Sequence, residues 1–84
     1  MNKLWTDNGW EHYLYWQNQD KKTLNRINKL IKDIESNGVL VGIGKPEKLL
    51  HSEGYSRRID EQNRLIYDIE DETLVIISCK GHYE

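Results

Sequence analysis

Apolar side chains recur at helical spacing in the first part of the chain. The positions concerned are Trp10, Tyr13 and Leu14, with Tyr15 and Trp16 widening the apolar arc. This pattern predicts an amphipathic helix. Before it, Leu4 and Trp5 predict the end of a short strand, and Thr6, Asp7 and Asn8 each offer a side-chain acceptor for the helix N-terminus. The sequence does not choose among these three caps.

A second helix is predicted over residues 21–36, where one face is apolar and the rest is largely charged. The apolar stripe consists of Leu24, Ile27, Leu30, Ile31 and Ile34. Asp20 interrupts the first helix and supplies the N-cap of the second, and Gly38 stands where a residue with positive φ ends a helix. Glycines and the single proline then gather between residues 37 and 46, which marks the break between the two halves of the chain.

After this break, the pattern changes to short runs rich in β-branched and aromatic residues. Residues 55–60, 63–70 and 73–80 form three such runs, separated by polar turns, and they predict an antiparallel meander. By simple alternation, the last two runs divide into two faces. One face has Leu65, Tyr67, Ile69, Val75, Ile77 and Cys79, and the other has Arg64, Ile66, Leu74, Ile76 and Lys80. The sequence therefore predicts an α+β fold. Two N-terminal helices pack on one face of an antiparallel β-sheet, and the other face is left for function.

The length and the cysteine content narrow the class of protein. A chain of 84 residues allows one domain, residues 1–84, with a single modest core. The single cysteine, Cys79, cannot form an intramolecular disulfide, so we expect a cytoplasmic protein. The N-terminus lacks the apolar run of a signal peptide, and no segment approaches the roughly 20 apolar residues of a membrane span. We therefore expect a soluble protein with no membrane partner.

The net charge of −2 argues against a protein that coats nucleic acid through bulk electrostatics. An RNA-binding protein with this balance needs a local basic patch. Lysines and arginines crowd residues 21–32, while residues 68–72 form an acidic tip. RNA binding therefore requires that the positive charges be segregated on the folded surface.

Cleavage of RNA without a metal requires three kinds of side chain. The 2′-OH needs a proton acceptor, the phosphorane needs a cation, and the departing 5′-oxygen needs a proton donor. The sequence offers Glu47, the arginines Arg57, Arg58 and Arg64, and the C-terminal pair His82 and Tyr83. Each of these is a weak signal when taken alone.

The acidic and basic candidates also have ordinary structural interpretations. Taken alone, Glu47 fits a solvated loop carboxylate first, although Pro46 restricts the backbone before it. Taken alone, the arginines likewise fit cross-strand ion-pair partners first. A two-residue turn would put Arg64 on the face of Arg57, whereas a one-residue bulge would pair it with Arg58. The turn sequence does not choose between these arrangements.

The C-terminal pair and the remaining histidines also have structural interpretations. His82 and Tyr83 are a frayed chain end if nothing holds them. If the preceding strand holds them, His82 can act as an acid, and Tyr83 can stack on a base or bond to the phosphate. A histidine with a pKa near ~6.5 suits protonation of an alkoxide leaving group at neutral pH. His12 and His51 lack metal-ligand spacing with each other or with Cys79, so no zinc site is expected.

Six segments, taken together and in order, resemble the YoeB branch of the RelE toxin superfamily over essentially the whole chain. They are YLYW at residues 13–16, INKLIKD at 27–33, GKPE at 44–47, SRRI at 56–59, RLIY at 64–67 and HY at 82–83. The resemblance implies a RelE-like toxin domain that cleaves mRNA in the ribosomal A site during translation, without a metal or cofactor. It also implies a homodimer and inhibition by a YefM-like antitoxin.

The resemblance also implies roles for the residues at matching positions. The catalytic set is Glu47 as general base, Arg64 as transition-state stabiliser, His82 as general acid and Tyr83 as orienting aromatic. Lys48 and Arg58 would contact phosphates, and Arg57 is a further candidate RNA contact.

The sequence departs from the family pattern at four places. Leu50 stands where a basic residue is common, residues 51–55 form a shorter stretch, Gly81 replaces a bulkier residue, and Glu84 extends past the usual terminal tyrosine. Loss of a cation and gain of a carboxylate should weaken RNA contact, so we expect reduced activity or heavier reliance on the ribosome. The departures also motivate an alternative function, a non-catalytic module that binds an antitoxin-like peptide or the ribosome.

Overall fold

The secondary structure follows the predicted order, with one short strand added. The computed structural model describes residues 1–82. Its elements are β1 (Asn2–Trp5), α1 (Asp7–Gln19), α2 (Lys21–Asn37), β2 (Glu47–Lys48), β3 (Tyr55–Arg58), β4 (Arg64–Glu70) and β5 (Thr73–Ser78). The addition is β2, whose two residues are too few to produce an alternating pattern in the sequence. Within residues 1–82, neither helix combines the length and the apolar character needed to cross a bilayer.

The five strands of the described chain form one sheet in the order β1-β5-β4-β3-β2. The strands from β2 to β5 are antiparallel neighbours, whereas β1 pairs with β5 in parallel. The helices connect β1 to the rest of the sheet and pack on one of its faces. The predicted α+β class with both helices on one face is therefore confirmed, and the parallel edge strand makes the sheet mixed.

The helix ends follow the capping residues of the sequence. Of the three candidate caps of α1, the structure selects Thr6, whose Oγ1 accepts from Gly9 N at 3.0 Å. The same hydroxyl donates to Ile77 O at 2.7 Å and so ties the helix start to β5. Asp20 caps α2 as predicted, accepting from Lys22 N and Thr23 N at 3.0 and 3.2 Å.

The prediction that odd-numbered residues of β4 and β5 share a face was wrong. The tight turn after β4 pairs Glu70 with Thr73, so each β4 residue from Tyr67 to Glu70 lies opposite a residue of the other parity in β5. Consequently, Ile76 lies opposite Tyr67 on the helix side of the sheet. The register then shifts at a β-bulge near Ile66 and Tyr67, and Cys79 returns to the core beyond it.

The core lies between the helices and one face of the sheet. Its buried members are Ile27, Leu30, Ile31, Ile34, Ile59, Leu65, Tyr67, Leu74, Ile76 and Cys79. The approach of α1 to β5 is especially close, because a Cβ on Gly9 would lie 2.5 Å from Ile76 O. A glycine at this position therefore lets the helix rest directly on the strand backbone.

Arg57 on β3 is fully buried, with 0% of its surface exposed. Its NH1 forms an ion pair with Asp33 of α2, and its Nε donates to Tyr67 Oη at 3.0 Å. The other guanidinium N–H groups donate to the carbonyl oxygens of Gly38, Val41 and Ile43 at 2.8, 2.8 and 3.0 Å. The interpretation of Arg57 as an RNA contact is therefore wrong, because the side chain points into the core and its donors are used there.

Replacement of Arg57 is expected to destabilise the fold strongly. Arg57→Met would leave the carbonyl oxygens of Gly38, Val41 and Ile43 without their donor, and each buried acceptor left unsatisfied costs about 1–3 kcal/mol. The exposed neighbour gives a matched control, since Arg58→Met should change stability by no more than about 0.5 kcal/mol. Urea unfolding of the two variants measures the difference. Equal unfolding midpoints would contradict the structural role given to Arg57.

Candidate active site

A cleft of about 200 Å³ lies on the sheet face that the helices do not cover. It is lined by Glu47, Lys48, Leu49, Leu50, His51, Ser56, Arg64 and His82. Three candidate residues that are far apart in sequence, Glu47, Arg64 and His82, thus meet around one opening. An acidic, a cationic and an imidazole side chain are available to the same bound group.

Glu47 reaches the cleft because the loop before it is fastened to the sheet. Gly44 has a φ of +82°, and its carbonyl oxygen accepts from Arg58 N at 2.6 Å. A Cβ on Gly44 would lie 2.8 Å from Leu30 Cδ2, so the loop can pass this point only with glycine. The bend ends at Pro46. Directly after it, Glu47 lies opposite Ser56 and Lys48 lies opposite Tyr55.

Arg64 begins β4 and lies directly opposite Arg58 on β3. Arg58 therefore lies beside Arg64 on the cleft side of the sheet, whereas Arg57 belongs to the opposite face. The cause is the turn between the strands, in which the Asp60 carboxylate accepts from Gln62 N at 2.8 Å and Asn63 N at 2.7 Å. Such a turn is typical of aspartate in its first position, and this signal was present in the sequence.

The chain after β5 is held at two points before it reaches His82. At Cys79, the carbonyl oxygen accepts from Trp16 Nε1 at 2.8 Å and the amide donates to His12 Nδ1 at 3.2 Å. At Gly81, the carbonyl oxygen accepts from Arg64 N at 3.1 Å. The C-terminal segment up to His82 is therefore docked on the body of the protein. Tyr83, the fourth predicted catalytic residue, lies outside the described residues.

Lys48 lines the cleft but also makes contacts within the protein. Its Nζ donates to Gly54 O at 3.3 Å and lies 5.2 Å from the centroid of the Tyr55 ring. Arg58 is exposed, so both of these candidate phosphate contacts can be reached from solvent.

Ser56 and His51 were not predicted as site residues, although both line the cleft. Ser56 is buried at the base of the cleft beside Glu47, and His51 and Leu50 stand at its edge. Leu50 is 85% exposed. Ser56 carries no motif of its own, and only the pairing of β2 with β3 brings it next to Glu47.

The fold and the cleft together define a small protein of the RelE-like α+β class. The family described as "YoeB-like toxin of bacterial type II toxin-antitoxin system" matches residues 5–83. The chain belongs to this family.

Individual relatives match along almost the full length of the chain. The toxin YoeB of Escherichia coli is 45% identical over 99% of this chain and 100% of its own. The toxin YoeB of Synechocystis is 49% identical over 100% of this chain and 99% of its own. Among solved structures, the YoeB dimer from Staphylococcus aureus superposes with a TM-score of 0.92 at 47% identity, covering 99% of this chain and 98% of that one.

Acidification is expected to weaken the attachment of Cys79 to α1. Partial burial lowers the pKa of His12, and Lys80 lowers it further, while Glu11 acts in the opposite direction. The unfolded chain therefore binds the proton first, so stability is present above a pH of about 6.5 and declines as the pH falls towards the lower pKa of the folded state. Melting temperatures between about pH 7 and about pH 5 would measure this decline.

A non-titrating side chain provides the control for this effect. His12→Asn keeps an acceptor near the position of Nδ1, and its loss of melting temperature over the same pH interval should be smaller than that of the native protein. An identical pH dependence in both proteins would remove His12 as its source.

Proposed function

We propose that this protein is the toxin of a type II toxin-antitoxin system and acts as a ribosome-dependent endoribonuclease on mRNA in the A site. The observation that carries the proposal is the meeting of Glu47, Arg64 and His82 around one cleft. These three groups supply the proton acceptor, the cation and the proton donor that cleavage by the ribose 2′-OH requires. The reaction uses no metal or cofactor.

In the proposed reaction, Glu47 accepts the proton of the 2′-OH as its oxygen attacks the adjacent phosphorus. Arg64 stabilises the negative charge that develops on the phosphorane oxygens, and the exposed Arg58 opposite it adds a second guanidinium. His82 donates a proton to the 5′-oxygen as the P–O bond breaks. The products are a 2′,3′-cyclic phosphate and a 5′-hydroxyl end, and solvent restores both protonation states.

The dependence on the ribosome is supported by the shape and charge of the protein. The cleft is a small opening of about 200 Å³, and Leu50 at its edge contributes no charge. With a net charge of −2, the protein has little general attraction for RNA. We infer that the ribosome presents the mRNA, while Lys48 and Arg58 contact its phosphates and Tyr83 orients a base.

The proposed partners follow from the solved relatives. The Staphylococcus aureus YoeB has been determined as a dimer and as a heterotetrameric complex with YefM. We propose that this chain likewise forms a homodimer and is inhibited by a YefM-like antitoxin. Its substrate is translating mRNA, so it acts in the cytoplasm.

Substitution of the three cleft residues tests the mechanism. Glu47→Gln, Arg64→Ala and His82→Gln should each lower the cleavage rate by about 10²–10⁴-fold, because each removes a group that acts in the transition state. Glu70→Gln makes the same chemical change as Glu47→Gln at the far end of β4 and should leave the rate unchanged. The measurement is cleavage of a defined mRNA on stalled ribosomes. Native rates in the three cleft variants would eliminate the mechanism.

Chelation and end analysis test the reaction class. Since side chains supply all three functions, EDTA added at a level that preserves the ribosome should leave single-turnover cleavage unchanged. The 5′ fragment should end in a cyclic or 3′-phosphate and the 3′ fragment in a 5′-hydroxyl. The reaction class would be contradicted if chelation stopped cleavage and addition of a divalent ion to the toxin restored it.

The exposure of Leu50 at the edge of the cleft favours a second candidate, a non-catalytic module that binds an antitoxin-like peptide or the ribosome. Expression in cells without the antitoxin separates the two functions. Growth arrest that disappears in His82→Gln supports the enzyme, whereas harmless expression with intact partner binding supports the module.

A further inference from the structure

The segment that carries His82 meets the turn between β3 and β4 through both backbone groups of Gly81. The Gly81 amide donates to Asn63 Oδ1 at 2.8 Å, and the Gly81 carbonyl oxygen accepts from Arg64 N at 3.1 Å. The last residue of the turn and the first residue of β4 thus hold the residue immediately before His82. His82 itself is exposed, with Nε2 3.4 Å from Glu61 O.

The Asn63 side chain is held in the orientation that this contact needs. Its Nδ2 lies 3.1 Å from each carboxylate oxygen of Asp60, so its Oδ1 faces Gly81. Partial burial opposes ionisation of Asp60, yet the hydrogen bonds from Gln62 and Asn63 prevail and lower its pKa. Asp60 is therefore an ionised acceptor at neutral pH, and a flipped amide would face it with the wrong atom.

The backbone of Gly81 adds a second requirement. Its φ is +84°, which L-amino acids with side chains rarely adopt, and a Cβ there would meet no atom within 4 Å. No neighbouring atom crowds Gly81 into this backbone conformation, so its hydrogen bonds must maintain it. The upstream anchor at Cys79 is two residues away, and Lys80 contributes a contact of its Nζ with the Tyr15 ring at 4.7 Å.

From this geometry we propose that Asn63 is a positioning residue that fixes Gly81 and thereby holds the His82 imidazole at the cleft. The catalytic meaning of this role rests on the proposed endoribonuclease function. The hydrogen bond from Arg64 N to Gly81 O also ties the proton donor to the strand that carries the cation. Through Gly81, Asn63 thus holds the segment of His82 against the strand of Arg64 without taking part in the reaction itself.

The test compares Asn63→Ala, Asn63→Asp and the control Asn18→Ala, an exposed asparagine at the end of α1. In Asn63→Ala, the Gly81 amide should exchange with solvent roughly tenfold faster, because its acceptor is gone. Single-turnover cleavage should slow by about 10–100-fold with KM nearly unchanged, because the substrate still binds while the acid is misplaced. Asn63→Asp keeps an oxygen acceptor but loses the amide group that donates to Asp60, and the two carboxylates repel each other, so this variant should also cleave slowly.

Two readouts keep the positioning role separate from folding and from the proposed function. Melting temperatures identify a general loss of stability, and Gly81 exchange is measured by NMR on the intact protein whether or not it cleaves RNA. The proposal would be overturned if Asn63→Ala left the exchange rate of the Gly81 amide unchanged. It would also be overturned if Asn63→Ala raised that exchange rate but cleaved mRNA as fast as Asn18→Ala. A native protein that does not cleave mRNA overturns the endoribonuclease function, and Gly81 exchange then still decides whether Asn63 fixes the tail.

Discussion

The buried guanidinium of Arg57 is the interaction on which the rest of the structure depends. Its planar group has five N–H donors, and the structure supplies acceptors from α2, from β4 and from the loop that follows α2. Lysine could not replace it, because an ammonium group has three donors and no fork geometry. The loop that wraps this cation continues through Gly44 into Glu47. The loop that leads to the proposed base is therefore held by the Arg57 guanidinium on the opposite face of the sheet, together with the hydrogen bond from Arg58 N to Gly44 O.

The parts of the fold that the sequence predicted are those set by local chemistry. The two helices follow from periodicity, and Asp20 and Gly38 follow from the chemistry of helix ends. The faces of β5 could not be predicted by parity alone, because they depend on the number of residues in a turn and on a bulge. The burial of Arg57 was hidden for a different reason. Arginine is expected at the surface, and only the folded loop supplies the carbonyl groups that pair with it.

The sequence allowed the residues of the proposed site to be predicted, but not their arrangement in space. The sequence indicated Glu47, Arg64 and His82 through the family resemblance, and the cleft brings their side chains to one place. The sequence-based prediction left open whether Arg57 or Arg58 lies opposite Arg64, because it did not use the turn signal of Asp60, which sets that register. Nor did it indicate that α1 would hold the C-terminal segment, since the contacts at Cys79 come from side chains far away in sequence.

The cleft is assembled from three segments, and each is fixed by hydrogen bonds to backbone groups. The loop before Glu47 is held by Arg57, Arg64 belongs to a strand, and the His82 segment is held at Cys79 and Gly81. This construction fixes the groups that would act on a phosphodiester without enclosing the substrate. A small, open cleft gains little binding energy from burial. Under the proposed function, the protein therefore contributes a rigid arrangement of reactive side chains, and the ribosome must contribute most of the substrate binding.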